Sequence, residues 1–381
     1  MQGARLKELR PAYGFDEVAI VPGEVTVNPD QTNVAFELRN VTLGIPVLAS
    51  AMDGVVDPNF AVALGRLGGL AVLNLEGVQT RYQDPASVLA EIADTPAGEV
   101  TGLLQRVYSE PIKETLLGER VRQIKAGGAL CAASLTPQTT KRFAPLAAEA
   151  GADVIVVQST VTTARHISKS YRGLIFSELC QQVPVPVVVG NTVTYGATLE
   201  LMRTGIAGVL VGVGPGAACT TREVTGVGVP QITATLDCSA ARDQYFRETR
   251  RYVPIITDGG IRTGGDICKA FAAGADAVMI GSPFAATREA PGHGYHWGMA
   301  TPHAALPRGI RINVGVRYSL EQLLFGPTSV NDGTQNLMGA LRVCMGMVGA
   351  LTVKDLHHRA ELVVAPSIKT EGKLFQLGGR L

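Results

Sequence analysis

Short apolar runs recur along the chain, each closing on Gly, Ser, Asn or Asp and each followed by a segment with helical spacing. They fall at 46–50, 70–74, 129–134, 153–158, 185–190, 208–212, 254–258 and 277–281. Runs of four to six residues with no polar alternation predict strands covered on both faces, as in a parallel sheet. Eight such units alternating with helices predict a closed (β/α)₈ barrel. Three helix–strand joins echo one another. Ala150-Gly-Ala-Asp-Val-Ile-Val-Val resembles Ala273-Gly-Ala-Asp-Ala-Val-Met-Ile, and Thr204-Gly-Ile-Ala-Gly-Val-Leu-Val is a weaker copy. In each, a glycine ends a helix and a strand begins at once. Those joins belong at one end of a barrel, so the polar strand ends collect at the other, where barrel enzymes place their sites.

Three stretches break the rhythm. Residues 77–128 carry helical spacing at 84–92 and 110–124, yet are too few for an independent two-module regulatory domain. Residues 287–315 have little periodicity and are rich in Pro, Gly, His and Ala, the character of a lid or binding loop. Residues 337–348 read as a packed helix, and 362–381 as an arm. The expectation is a single barrel domain over 1–381 with no regulatory insertion.

Composition narrows the classes. Apolar residues make up 46% and charged residues 18%, enough apolar material for a large core and too little charge for disorder. Lys+Arg 34 against Asp+Glu 33 leaves a net charge of +1, which argues against a broad nucleic-acid surface but not against a local anion pocket. No run is long and apolar enough to span a membrane, and the first residues lack a signal-peptide core. The cysteines at 131, 180, 219, 238, 268 and 344 form no Cys-x-x-Cys pair. That spacing predicts reduced thiols in the cytoplasm, mostly acting as small core residues.

The chemistry concentrates on 212–231. Gly212, Gly214 and Gly216 alternate around Pro215, so the chain must loop after the sixth strand and can bring bare backbone close to a ligand. Cys219 stands at the end of that loop, followed by Thr220, Thr221 and Arg222, a pattern suited to a nucleophile. Asp258-Gly259-Gly260 and Gly281-Ser282 end the last two strands, where barrels bind phosphate. Asp258 suits sugar hydroxyls as an acceptor. Ser50 and Asn191 can hold phosphate or base edges, and Met52 offers a soft plate for a flat ring. His293, His296 and His303 lack metal-ligand spacing, which leaves them surface or supporting roles.

With these residues in order, the sequence resembles the IMP dehydrogenase / GMP reductase family. The matching pieces are Phe15-Asp-Glu-Val-Ala-Ile-Val-Pro, Ile45-Pro-Val-Leu-Ala-Ser-Ala-Met-Asp, Gly190-Asn191, the cysteine loop with Gly226-Val-Gly-Val-Pro-Gln, Asp258-Gly-Gly-Ile-Arg and Met279-Ile-Gly-Ser. It is most similar to a shorter bacterial group that lacks the paired cystathionine-β-synthase modules. The resemblance implies NAD-dependent oxidation of IMP to XMP by a homotetramer. Cys219 would attack C2 of the purine, and Thr221 would help activate water. Ser50, Gly216, Gly260, Gly281 and Ser282 would hold the phosphate, and Asp258 the ribose. Met52, Asn191, Gly298 and Met299 would surround the base, with Tyr295 as a further substrate contact. Gln158, Ser159, Thr160, Gly212 and Gly214 would border the nicotinamide. Carbonyls of Gly214, Gly216 and Cys219 would hold a monovalent cation, usually potassium.

Departures from the family pattern are specific. Ala217 replaces the usual serine, and Gln158 the usual aspartate. No Arg-Tyr pair stands in the lid, where Arg308 takes the place of Glu or Gln, and Arg317-Tyr318 comes out of order. Tyr295-His-Trp-Gly-Met has one residue more than Tyr-x-Gly-Met. GMP reduction with NADPH and nucleotide binding without catalysis are the alternative readings.

Overall fold

The computed structural model describes residues 9–167, 173–298 and 311–365. Eight parallel strands close into a barrel: β1 (Val47–Ala49), β2 (Leu70–Asn74), β3 (Ala132–Leu135), β4 (Val154–Gln158), β5 (Val187–Thr192), β6 (Gly208–Val211), β7 (Ile255–Asp258) and β8 (Ala277–Ile280). Each pairs with its sequence neighbours, and β8 closes on β1 through Val278–Val47 and Ile280–Ala49. Every apolar run named above became one of these strands, within a few residues at each end.

The strands are apolar throughout because both faces are covered. Leu48, Val72, Val156, Val188, Leu210, Ile256 and Met279 fill the barrel interior, while Val47, Leu73, Ile155, Val189, Val209, Ile255 and Val278 pack beneath the helices. Alternation therefore separates two apolar environments instead of core from solvent. A hairpin of Phe36–Leu38 and Val41–Leu43 joins the interior set and plugs the barrel floor. A Cβ on Gly208, at the start of β6, would come within 3.2 Å of Leu38 Cδ1.

Residues 77–128 form four helices, Val78–Arg81, Pro85–Asp94, Val100–Ser109 and Glu114–Ala126. The spacing over 110–124 predicts one start; Glu110, before Pro111, is extended, and the helix begins at Glu114. Leu89, Ile92, Leu103, Leu104 and Val107 make a small apolar cluster of their own, closed by Trp297. Leu337–Val348 is a helix over the span that the sequence predicts. In the 287–315 stretch, Tyr295–His296 pairs with Ile312–Asn313 as a short antiparallel ribbon. Val18–Val21 pairs with Glu361–Val364, so the start of the described arm is a strand. Among the described residues no helix is long and apolar enough to cross a membrane.

Candidate active site

Polar side chains end the strands on one rim, around a cavity of about 1020 Å³. Ser50 follows β1, Gln158 ends β4, Asn191 lies in β5, Asp258 ends β7, and Gly281 and Ser282 follow β8. All of them line this cavity, as do Met52, Ser159, Thr160, Gly260 and Gly298. Gly212, Gly214, Gly216, Cys219 and Thr221 line it from the loop after β6.

That loop is held by its own polar groups. Cys219 N–H donates to the Gly216 carbonyl at 3.0 Å. The Arg222 guanidinium donates to the carbonyls of Val213 (3.2 Å) and Val229 (2.6 Å), tying both arms of the loop together. Its stem leaves no room at Gly214, where a Cβ would meet Arg222 Cγ at 2.4 Å. At Gly212 a Cβ would lie 2.2 Å from the Asp258 carbonyl oxygen. Gln231 Nε2 donates to Val211 O (2.6 Å) and Asp258 O (3.1 Å), joining the ends of β6 and β7. The result presents Cys219 Sγ 3.2 Å from Thr221 Oγ1. Burial pushes the Cys131 and Cys238 thiols up to about 12, which leaves them inert as nucleophiles.

Across the cavity three side chains interlock. Asp258 Oδ2 accepts from Asn191 Nδ2 at 2.8 Å and from Gln158 Nε2 at 3.0 Å. Gln158 Nε2 also reaches Asn191 Oδ1 at 3.1 Å. Burial pushes the Asp258 carboxyl up to about 6, and the Asn191 amide pulls the other way. Farther along, Glu76 Oε1 accepts from Thr136 N (3.1 Å), Thr136 Oγ1 (2.8 Å) and the Thr139 hydroxyl. Its carboxylate thus faces the start of helix Pro137–Glu149, where negative charge is favoured. Glu76, Thr136 and Thr139 also line the cavity. The signal that could have found them is their place directly after β2 and β3.

The tyrosine expectation needs correcting. Tyr295 does not line the cavity. Its ring lies under the Arg311 guanidinium at 4.3 Å, and its hydroxyl accepts from Asn313 Nδ2 at 3.4 Å. The ribbon alternates its faces, so the next residue points inward. His296 is 1% exposed, lines the cavity and places Nε2 2.9 Å from Ser282 Oγ. The extra residue in Tyr295-His-Trp-Gly-Met was the signal: counted back from Gly298, the inward position falls on His296.

Trp297 then turns away, donating from Nε1 to Tyr108 Oη at 2.7 Å. Tyr108 in turn donates to buried Asp53 Oδ2. Tyr318 of the out-of-order pair is buried in the core, and Arg317 donates to Val314 O, with neither lining the cavity. Met299, His303 and Arg308 lie outside the described residues, as do the rest of 299–310 in the expected lid and most of the expected arm. Among the described residues no cluster of three His, Cys, Asp or Glu is arranged to hold a metal.

A barrel with a cysteine loop after β6, glycine turns after β7 and β8 and a cavity between them defines a class that comparison with known proteins resolves. A family profile described as the IMP dehydrogenase / GMP reductase domain matches residues 12–372. The chain belongs to that family. It is 39% identical over 355 residues to an uncharacterized oxidoreductase of Mycolicibacterium smegmatis, covering 91% of this chain and 95% of that one. It is 31% identical to the inosine-5'-monophosphate dehydrogenase of Cryptosporidium parvum, covering 94% and 93%. A crystal structure of an IMP dehydrogenase/GMP reductase-like protein from Corynebacterium glutamicum superposes with a TM-score of 0.89 at 32% identity, covering 96% of this chain and 97% of that one.

Proposed function

We propose that this protein oxidises IMP to XMP with NAD through a covalent adduct on Cys219. The observation that carries the reading is the cavity-facing pair of Cys219 Sγ and Thr221 Oγ1, 3.2 Å apart. The Cys219 thiolate adds to C2 of the purine, and loss of the C2 hydride leaves a thioimidate. Water then attacks C2, the carbon–sulfur bond breaks, and XMP leaves with the thiol restored. Thr221 holds that water by its hydroxyl. Asp258 accepts from the ribose hydroxyls, and Met52 and Asn191 border the base. NAD, when bound, supplies the hydride acceptor, and the overall change is IMP, NAD⁺ and water to XMP, NADH and a proton.

Gln158, Ser159, Thr160, Gly212 and Gly214 are the residues that would border the nicotinamide. A cavity of about 1020 Å³ leaves room beside a mononucleotide for the reacting part of a second ligand. For potassium, the carbonyls of Gly214, Gly216 and Cys219 offer the hard oxygen donors an alkali cation takes. The Gly216 carbonyl already accepts from Cys219 N–H and keeps one lone pair free.

Absorbance at the reduced-nicotinamide band tests the reading. The protein is mixed with IMP plus NAD, and separately with GMP plus NADPH, each with and without potassium. A rise in the first mixture is the expected result. A fall confined to the second assigns the reductase direction, and binding without either change removes the catalytic reading.

A further inference from the structure

The ribbon after β8 brings an unusual histidine to the cavity wall. His296 is 1% exposed, and among the described residues its Nδ1 has no hydrogen-bond partner. Burial lowers its pKa to about 4, so the ring is neutral near pH 7 and carries one proton. Two tautomers are available. With the proton on Nδ1, a buried N–H donor is left unmade, the costlier kind of orphan. With the proton on Nε2, the ring donates to Ser282 Oγ across 2.9 Å, and only a lone pair is orphaned. The second tautomer occupies an acceptor site on the Ser282 hydroxyl and frees its proton to point elsewhere.

What lies beyond that hydroxyl sets its target. Ser50, Gly260 and Gly281 line the same part of the rim. A Cβ on Gly281 would sit 3.5 Å from Ser50 Oγ, so the two serines flank one bare stretch of backbone. Ala217, on the facing loop, contributes no hydroxyl.

We propose that His296 is the positioning residue that makes Ser282 a hydrogen-bond donor to the phosphate monoester of the ligand. The inference rests on the reading of the cavity as a nucleoside-monophosphate site and adds which residues select the phosphate. His296 does not touch the ligand. It fixes the direction of one hydroxyl, a task that a donor at the Nε2 position can perform and an apolar ring cannot.

Calorimetry with IMP, inosine and ribose 5-phosphate tests it. Ser282→Ala should weaken IMP and ribose 5-phosphate by about tenfold, the loss of one hydrogen bond to a charged acceptor, and leave inosine unchanged. His296→Phe should reproduce that selective loss, and His296→Gln, which keeps an N–H near Nε2, should stay within about threefold of wild type. In a Ser282→Ala background His296→Phe should add less than about twofold, because the two act as one unit.

Additive losses, an equal loss of IMP and inosine, or a glutamine variant as poor as the phenylalanine one would each overturn the inference. Should His296→Phe unfold the ribbon, His296→Gln in both backgrounds decides the matter. A protein that binds ribose 5-phosphate through this pair but not IMP would remove the purine reading and leave the pair standing. One that binds neither phosphate ligand overturns both.

Discussion

Beyond β8 the cavity is walled by Ser50, Ser282 and His296, and across it, beyond β4, β5 and β7, by Gln158, Asn191 and Asp258. The first wall carries hydroxyls, bare backbone and a neutral imidazole. The second carries a carboxylate that already accepts from two amides. The difference is one of electrostatic strategy. The Arg262 guanidinium also lines the cavity but is paired with Asp16 and Asp266, so the neutral donors of this wall must each be aimed to receive a phosphate. A carboxylate at the cavity wall keeps one charge against the cost of desolvation, and the amides of Gln158 and Asn191 offset part of that cost. The first wall therefore suits an anion, and the second suits hydroxyl donors such as a ribose.

The largest expected effect separates both walls from the chemistry between them. Cys219→Ala should lower kcat by on the order of 10⁴ or more, the scale seen when a covalent nucleophile is removed. IMP affinity by calorimetry should stay within about threefold, since all the proposed phosphate and ribose contacts but Gly216 lie on other strands. Rapid denaturation of wild type with IMP and NAD should trap a purine adduct on the peptide containing Cys219. Substantial turnover in the alanine variant, or an adduct on another cysteine, would remove the proposed mechanism.

Next in size is a direct comparison of the walls. Asp258→Ala should weaken IMP and inosine alike by about 1.5–3 kcal/mol, the range for a hydrogen bond to a charged group. Calorimetry in which inosine is untouched by Asp258→Ala would erase the contrast with Ser282.

How far these walls could be read in advance depends on what made each element. The barrel strands were legible because β2, β4 and β5 are apolar on both faces, which leaves a run that no surface strand shows. Asp258, Gly281 and Cys219 were legible because strand-end polar residues and glycines have few other reasons to follow such runs. The hairpin of Phe36–Leu38 and Val41–Leu43 gave only short alternation, and its place under the barrel is a long-range fact. The pairing of Val18–Val21 with Glu361–Val364 joins distant parts of the sequence, which no local pattern encodes. Helix Val100–Ser109 hides behind Thr101 and Gly102, both poor helix formers, and is held by its packing on Trp297. For His296 the sequence left surface and supporting roles open, because the choice depends on which face of a two-residue strand turns inward.

The smallest effect concerns Gln158, the residue that stands in place of a second carboxylate. Burial pushes Asp258 up to about 6, against about 3.9 in an unfolded chain. Between those two values the folded protein binds more protons than the unfolded one. The Asp258 contribution to stability therefore falls as pH rises through that window and gains nothing above it. Ligand binding runs the other way. The ionised carboxylate is the form that accepts from ribose hydroxyls, so IMP affinity should fall as pH drops through about 6.

Gln158→Asp would replace an amide donor 3.0 Å from Asp258 Oδ2 by an acceptor. The aspartate is one methylene shorter, so its carboxylate stands farther back than the amide, yet two carboxylates on one buried cavity wall do not both ionise readily, and one takes up a proton at higher pH. The midpoint of the IMP affinity profile should then rise by about one pH unit, while affinity at pH 8 to 9 changes little. Calorimetry across pH 5 to 9 reads the midpoint, with inosine run in parallel, because it keeps the ribose hydroxyls and lacks the phosphate, whose second ionisation lies near 6. An unchanged midpoint in the aspartate variant would mean that Gln158 does not govern the charge of Asp258, and that the second wall owes its poise to burial alone.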